Sequence, residues 1–410
     1  MSIKLKTNFL YIFTYAILTE LILGGSGHLL EFGGVSIRHI LLFCIIFIEF
    51  IISFKNGFYL TKSKKVLLLL IFYFLGEFMY GLLRSMPSNV YNEFSGYMPI
   101  ISCLFFSTYF RIHDNINSLK RYIETLCMLL ALLNLAMWLY CFITRDANFI
   151  IIHLMKPYNY GNLSLIGTIP RIFLKGSVFI CIGFIFKFSD IISNGANFSG
   201  YIELFIYFLS VLVSFTVGLY IATFLATIAL LVIHKQDNKT KYTAIISTIV
   251  IMTFIIIKYD ITNIISDRFS GDYTPSFKLA QIKAILSSID VDFLFGKGLG
   301  YAIQVDYGYV EAKTYSFEVM WGQLFLHLGV IGFCLFLYHI YLTLKNLYSK
   351  YKITNNRIFL LLLLSVSILC MESMTNPYMN NAIGLLFYAV CVGISEKVLN
   401  IYDFVPVYAK

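Results

Sequence analysis

What this chain can fold into is limited first by its apolar runs, which recur along its whole length and are close to 20 residues each. A helix of about 20 residues rises about 30 Å, the thickness of a bilayer's hydrocarbon core, and in lipid a helix satisfies its backbone hydrogen bonds internally. The alternating ten-residue strands of an outer-membrane barrel are not the pattern here. With 59% hydrophobic against 13% charged residues and a mean hydropathy of +0.79, the composition is not that of a soluble protein. The expectation is an all-α, polytopic integral membrane protein forming a single transmembrane domain over residues 1–410. The net charge of +9 sits in short loops between runs, where basic residues set orientation and meet lipid phosphates, so membrane lipids and not nucleic acid are the expected partners.

The apolar runs predict twelve helices, near residues 8–24, 37–54, 66–83, 97–110, 122–143, 172–188, 201–215, 218–234, 243–258, 317–342, 358–371 and 382–396. The stretch from Tyr201 to Ile233 is too long for one crossing, and a tight hairpin at Val217-Gly218 divides it. Counting twelve spans from a cytoplasmic N-terminus puts 19 of the 31 basic residues on one side, among them Lys4, Lys62, Lys64, Lys65, Lys120, Lys239, Lys350 and Lys397. The short loops opposite carry few, chiefly Arg38 and Arg84. Both termini are therefore expected inside. One external segment is long, from about Tyr259 to Ser316, with helical periodicity over Ser276 to Ile289, and loops of that length usually carry function. A second, from Asn148 to Arg171, is rich in Tyr, Asn and Gly.

The N-terminal run imitates a signal peptide but ends in Gly24-Gly25-Ser26-Gly27 without a small-residue cleavage site, so it reads as an uncleaved first span. All eight cysteines lie in apolar runs without CxxC spacing and read as packing residues.

Few residues could carry chemistry. Glu318 opens the tenth span, where it is either a carboxylate favoured by the helix dipole or a general base facing an external cavity. His327, nine residues on, falls on the opposite face of that helix and is assigned to packing. Arg171 and Lys175, four apart at the start of the sixth span, project from one helical face, either snorkelling to headgroups or forming a diphosphate site. Arg268, Lys278 and Lys283 are further cations on the long loop, with a solvated surface as the default for the latter two. Glu77 is the most deeply placed carboxylate and Arg84, seven residues later on the same face, is its expected ion-pair partner. The stretch Gly296-Lys297-Gly298-Leu299-Gly300 fits neither nucleotide-loop pattern and is expected to be a tight turn.

This arrangement resembles the O-antigen polymerase and ligase superfamily of bacterial inner-membrane proteins. The resemblance is architectural over the whole chain. Locally it rests on a basic residue in a loop helix (Lys278), the glycine turn Leu294 to Gly300, and a span carrying Glu318, Leu324 and Gly329-Val330-Ile331-Gly332. Ligase-like members open this span with His-Asn, and Glu318-Val319 departs from that. Many members place an arginine in the hairpin before the large loop, where Ser214-Phe215-Thr216-Val217-Gly218 has none.

The resemblance implies polymerisation of lipid-linked repeat units at the outer face of the inner membrane, with undecaprenyl diphosphate glycans as donor and acceptor and neither cofactor nor metal. It assigns Glu318 as the base and Arg171, Lys175, Arg268 and Lys278 to the departing diphosphate. External tyrosines, Tyr158, Tyr160, Tyr273, Tyr301, Tyr307 and Tyr309, suit sugar stacking or an interfacial belt. A chain-length regulator and a flippase are the implied protein partners. The alternatives are a ligase with the same donor, or a lipid-linked oligosaccharide flippase, for which two related halves would be expected and no internal repeat is found.

Overall fold

The apolar runs become helices in a computed structural model of the chain, which describes residues 2–25, 31–32, 35–56, 60–112, 116–166, 169–195, 198–233, 275–289, 291–308 and 310–398. The described helices of eight or more residues are α1 (Ser2–Leu23), α2 (Ile37–Asn56), α3 (Lys62–Arg84), α4 (Pro87–Tyr97), α5 (Ser102–Ile112), α6 (Ile116–Thr144), α7 (Ser177–Asn194), α8 (Phe198–Leu212), α9 (Val217–Ile233), α10 (Pro275–Ser287), α11 (Met320–Thr354), α12 (Arg357–Glu372) and α13 (Ala382–Glu396). Eleven of the twelve expected positions hold a helix; the twelfth, 243–258, lies outside the described residues, as does the start of the long loop. Among the described residues three helices, α3, α6 and α11, are long and apolar enough to cross a membrane, and several shorter ones are apolar.

The fold is mostly helical but not all-α. Three two-stranded antiparallel hairpins join the helices: β1 (Glu31–Phe32) with β2 (Val35–Ser36), β3 (Gly161–Ile166) with β4 (Ile169–Leu174), and β5 (Ile303–Asp306) with β6 (Glu311–Thr314). β4 takes the first residues of the expected sixth span. Pro170 cannot sit inside a helix, the segment alternates between half-buried and buried positions, and Gly176 precedes the helix that starts at Ser177. Register pairs Ser164 with Arg171 and Gly161 with Leu174.

The core centres on α13, buried without interruption from Ile383 to Ser395 as expected of a helix apolar all round. Its neighbours are α1, α5, α11 and α12. The break between α8 and α9 falls at 213–216, two residues earlier than expected, with Phe215 in the left-handed region at φ 44°. Gly218 is instead the point where α9 lies against the Glu372 carboxylate.

The element that organises the cavity end of the molecule is α11, whose helical geometry breaks at Gly329 (φ 60°, ψ −172°). A break strands carbonyls on the turn before it. Here the strap Asp292 to Gly300 takes them up: Lys297 N donates to Leu326 O at 2.9 Å and Gly298 N to His327 O at 3.1 Å, while Tyr73 OH of α3 donates to Leu328 O at 2.8 Å. In the other direction Ile331 N donates to Leu294 O at 3.1 Å. Gly296, Gly298 and Gly300 all have φ between 73° and 89°, and each lies against backbone that a Cβ would strike. The glycine stretch is thus a backbone splice between α3 and α11, more than the tight turn expected of it.

The splice makes an unequal pair of substitutions. Gly308, with φ 86° and open space around it, should lose only the left-handed penalty of about 1–2 kcal/mol when changed to Ala. Gly298→Ala adds a Cβ 2.9 Å from Gly81 N and should lower the detergent melting temperature clearly more. Equal melting temperatures for the two variants would contradict the splice.

Candidate functional site

A cavity of about 740 Å³, lined by both polar and apolar side chains, opens where five separated parts of the chain meet. α2 contributes Arg38 and His39; α4 and the turn after it contribute Asn92, Ser95 and Pro99; the β3–β4 region contributes Asn159, Asn162, Phe173 and Lys175; the approach to α11 contributes Glu318; and the α12–α13 connection contributes Asn376, Tyr378 and Asn381.

Lys175 sits in the turn after β4. Its backbone N–H is bonded to Tyr160 O at 3.0 Å, and its ammonium has no partner among the described residues. Burial, and then the positive charge of Arg38, holds that ammonium below the ordinary lysine range. Arg38 is itself neutralised: its Nε lies 2.9 Å from Glu20 Oε2 and its Nη2 donates to Gly25 O at 2.8 Å.

Glu318 faces the cavity half-exposed, but α11 begins only at Met320, so Glu318 is in the bend before the helix and not in its first turn. Gln281 Oε1 of α10 accepts from its backbone N–H at 3.0 Å, and Lys278 Nζ stands 3.5 Å from its Oε2 while donating to Thr375 O at 3.0 Å. Lys278 is therefore placed beside the carboxylate instead of at a separate anion site.

Arg171 does not share a helical face with Lys175. In β4 it reaches the α8–α9 turn, its Nε donating to Ser214 O at 3.2 Å and its Nη2 to Thr216 Oγ1 at 3.5 Å. The hairpin that lacks an arginine of its own receives one from the neighbouring strand. Arg268 lies outside the described residues, and Lys283 is exposed on α10.

The expected ion pair between Glu77 and Arg84 is not formed. Arg84 Nη1 pairs with Asp292 Oδ2 at 2.9 Å, and the guanidinium lies over the rings of Tyr80 and Tyr301. Seven residues carry Arg84 two turns beyond Glu77, to the end of α3, where the strap's aspartate meets it; Glu77 stays buried, its Oε2 without a hydrogen-bond partner among the described residues. Tyr160 donates to Leu23 O, Tyr301 meets Arg84 and Lys297, and Tyr307 stacks on Phe277, so these three tyrosines support the loops and do not line the cavity.

Sequence reasoning missed the amides. Asn159 and Asn162 have side chains without a hydrogen-bond partner among the described residues; Asn92 donates to Tyr315 OH at 3.4 Å and keeps its Oδ1, and Asn376 donates to Glu372 Oε2 at 3.0 Å and keeps its own. Asn381 is consumed, its Oδ1 capping α13. A cluster of Asn from distant loops leaves no spacing signature.

The cavity wall is held by a buried network that sequence also missed. Glu93 of α4 accepts from Gln323 Nε2 at 2.9 Å, from Gly300 N at 2.5 Å, and meets His327 Nδ1 at 2.5 Å; His327 Nε2 meets Tyr301 O at 3.0 Å. Gln323 Oε1 in turn accepts from Phe317 N at 3.1 Å, next to Glu318. His327 is fully buried, away from the cavity, but as the centre of a polar network and not as an apolar packing residue.

No family model matches the chain, and no curated protein matches it.

Glu93→Ala would leave Gln323 Nε2, Gly300 N and His327 Nδ1 without their acceptor, and a buried polar group left unsatisfied typically costs about 1–3 kcal/mol. The expected result is a large drop in thermal stability in detergent, with Glu93→Gln, which keeps one acceptor oxygen, falling between it and the unaltered protein. An Ala variant as stable as the parent would remove the network from the structural account.

Proposed function

We propose that the cavity is the site of a glycosyl transfer between saccharides carried on polyprenyl diphosphates, building a surface polysaccharide from lipid-linked repeat units. The observation that carries this reading is the cavity's content: an ammonium at Lys175 and amides with donors and acceptors that are unused among the described residues, and a half-exposed carboxylate at Glu318 with Lys278 beside it. Such a wall suits a ligand that is phosphorylated at one end and rich in hydroxyls at the other.

In this mechanism the acceptor hydroxyl gives its proton to the Glu318 carboxylate as its oxygen bonds to the anomeric carbon of the donor. The bond from that carbon to the diphosphate breaks, and the electron pair leaves on the diphosphate, whose charge Lys175 stabilises. The diphosphate lipid is an activated leaving group, so the step needs no nucleotide sugar. Arg171 acts at one remove, by holding the α8–α9 turn against β4.

The same reading takes the chain as a bacterial inner-membrane protein with twelve crossings, both termini cytoplasmic and the cavity on the outer side. The partition of basic residues supports it. Reporter fusions after Lys239 and after Tyr301 should report opposite sides of the membrane; the same side for both would overturn this topology.

Coexpression with a defined repeat unit, read as a polymer ladder, tests the chemistry. Glu318→Gln should reduce turnover by about 10²- to 10⁴-fold and leave single repeat units at normal protein level. A full ladder would remove Glu318 from the mechanism.

Lys175 adds a pH signature. A lysine whose ammonium is disfavoured loses its proton at lower pH than an ordinary one, so the cation is present on the acid side and lost as pH rises. Lys175→Arg, which stays charged throughout, should carry activity to higher pH, whereas Lys175→Gln should depress it at all pH values. Superimposable alkaline limbs for the parent and Lys175→Arg would exclude Lys175 as the titrating cation.

A further inference from the structure

We propose that the strap Asp292 to Gly300, part of a loop expected to be wholly external, is a re-entrant segment whose apex inserts among the acyl chains of the outer leaflet. The inference rests on the reading that α3 and α11 span the membrane.

Two helices give the depth independently. The strap's apex is fixed to α3 by Tyr73 OH, whose one proton is shared between Leu328 O at 2.8 Å and Phe295 O at 3.1 Å. Tyr73 lies eleven residues before Arg84, the end of α3, or about 16 Å along the axis. On the other side the apex grips the break at Gly329, nine residues after α11 starts at Met320, or about 14 Å in. The two values agree, and both put the apex near the middle of a core about 30 Å thick.

The backbone is equipped for that depth. Non-helical backbone at membrane level persists only where protein satisfies its polar groups. Gly296 N donates to Asp292 O, Lys297 N and Gly298 N to α11, Leu299 N to Glu77 O and Gly300 N to Glu93 Oε2, while the carbonyls of Leu294 and Phe295 accept from Ile331 N and Tyr73 OH. A water-exposed loop would have no need of seven such bonds in nine residues.

The side chains at the apex point away from this bonding. Phe293, Leu294 and Phe295 are all exposed, Phe295 by 59%. α3, to which the apex is bonded, also exposes large apolar side chains, Phe72 by 69% and Met79 by 62%. Three consecutive large apolar side chains beside a lipid-facing helix fit acyl chains as their neighbour. Asp292, by contrast, is held at the level of the helix end by Arg84 and Lys297.

Depth-dependent fluorescence quenching tests this in the full chain. Phe295→Trp and, as a second variant should the first fold poorly, Leu294→Trp are reconstituted in phosphatidylcholine vesicles with chains dibrominated at mid-depth, and the signal of the parent's two native tryptophans is subtracted. Phe72→Trp on α3 and Val310→Trp in the β5–β6 turn serve as references. The expected result is loss of most of the added emission at 295 or 294 in brominated vesicles, matching Phe72→Trp, with protection from aqueous acrylamide, and the opposite pattern at 310. Acrylamide quenching without bromine quenching at 295 and 294, while Phe72→Trp is quenched by bromine, would overturn the inference and leave the apex as a water-exposed surface for another macromolecule. Loss of bromine quenching at Phe72 as well would overturn the membrane-spanning reading beneath it.

Discussion

The break in α11 at Gly329, and the strap that repairs it, is the constraint on which the walls of the cavity depend. A helix interrupted in a low-dielectric setting leaves carbonyls whose desolvation is costly unless a donor reaches them. Leu326 O and His327 O find theirs on the strap, and Leu328 O on Tyr73. At three points the approach leaves no room for a Cβ: Gly296 lies against the break and Gly329, Gly298 against Gly81 of α3, and Gly300 against Val90 of α4.

From that splice the geometry passes outward through side chains. Gly300 N on the strap and His327 on the segment before the break both meet Glu93, and so α4 is tied to α11. Gln323 carries the tie to Phe317 N, fixing the bend in which Glu318 turns toward the cavity, while α10 holds the next backbone N–H through Gln281. Lys175 arrives by a separate route, at the end of a β-hairpin whose strand is locked to the α8–α9 turn by Arg171. The proposed base and the proposed phosphate cation are thus borne by different elements, with α12 packed against both α7 and α11.

What the sequence displayed was periodicity. Long apolar runs forecast helices at the described positions because burial and backbone satisfaction in such runs leave few alternatives. It showed Glu318 and Lys175 because charges near apolar runs stand out. It concealed the β4 strand, since a short Ile-Pro-Arg-Ile-Phe-Leu segment is apolar enough to merge with the helix that follows, and so the helical face expected to join Arg171 and Lys175 does not form. Glu93 and the cavity asparagines are hidden for another reason: α4 falls between two expected spans, and polar residues brought together from segments far apart in sequence carry no local pattern. Arg84 looked like a partner for Glu77 because both lie on one helix; the strap, a tertiary contact, supplied Asp292 instead.

The central functional claim is that the cavity joins two lipid-linked saccharides at the expense of one diphosphate linkage. Purified protein in vesicles, given only a defined polyprenyl diphosphate-linked repeat unit, should release one polyprenyl diphosphate for each glycosidic bond formed, and the saccharide on the remaining lipid should lengthen by whole repeat units. Consumption of the repeat unit without release of polyprenyl diphosphate, or no lengthening under conditions in which the protein is folded, would contradict the account.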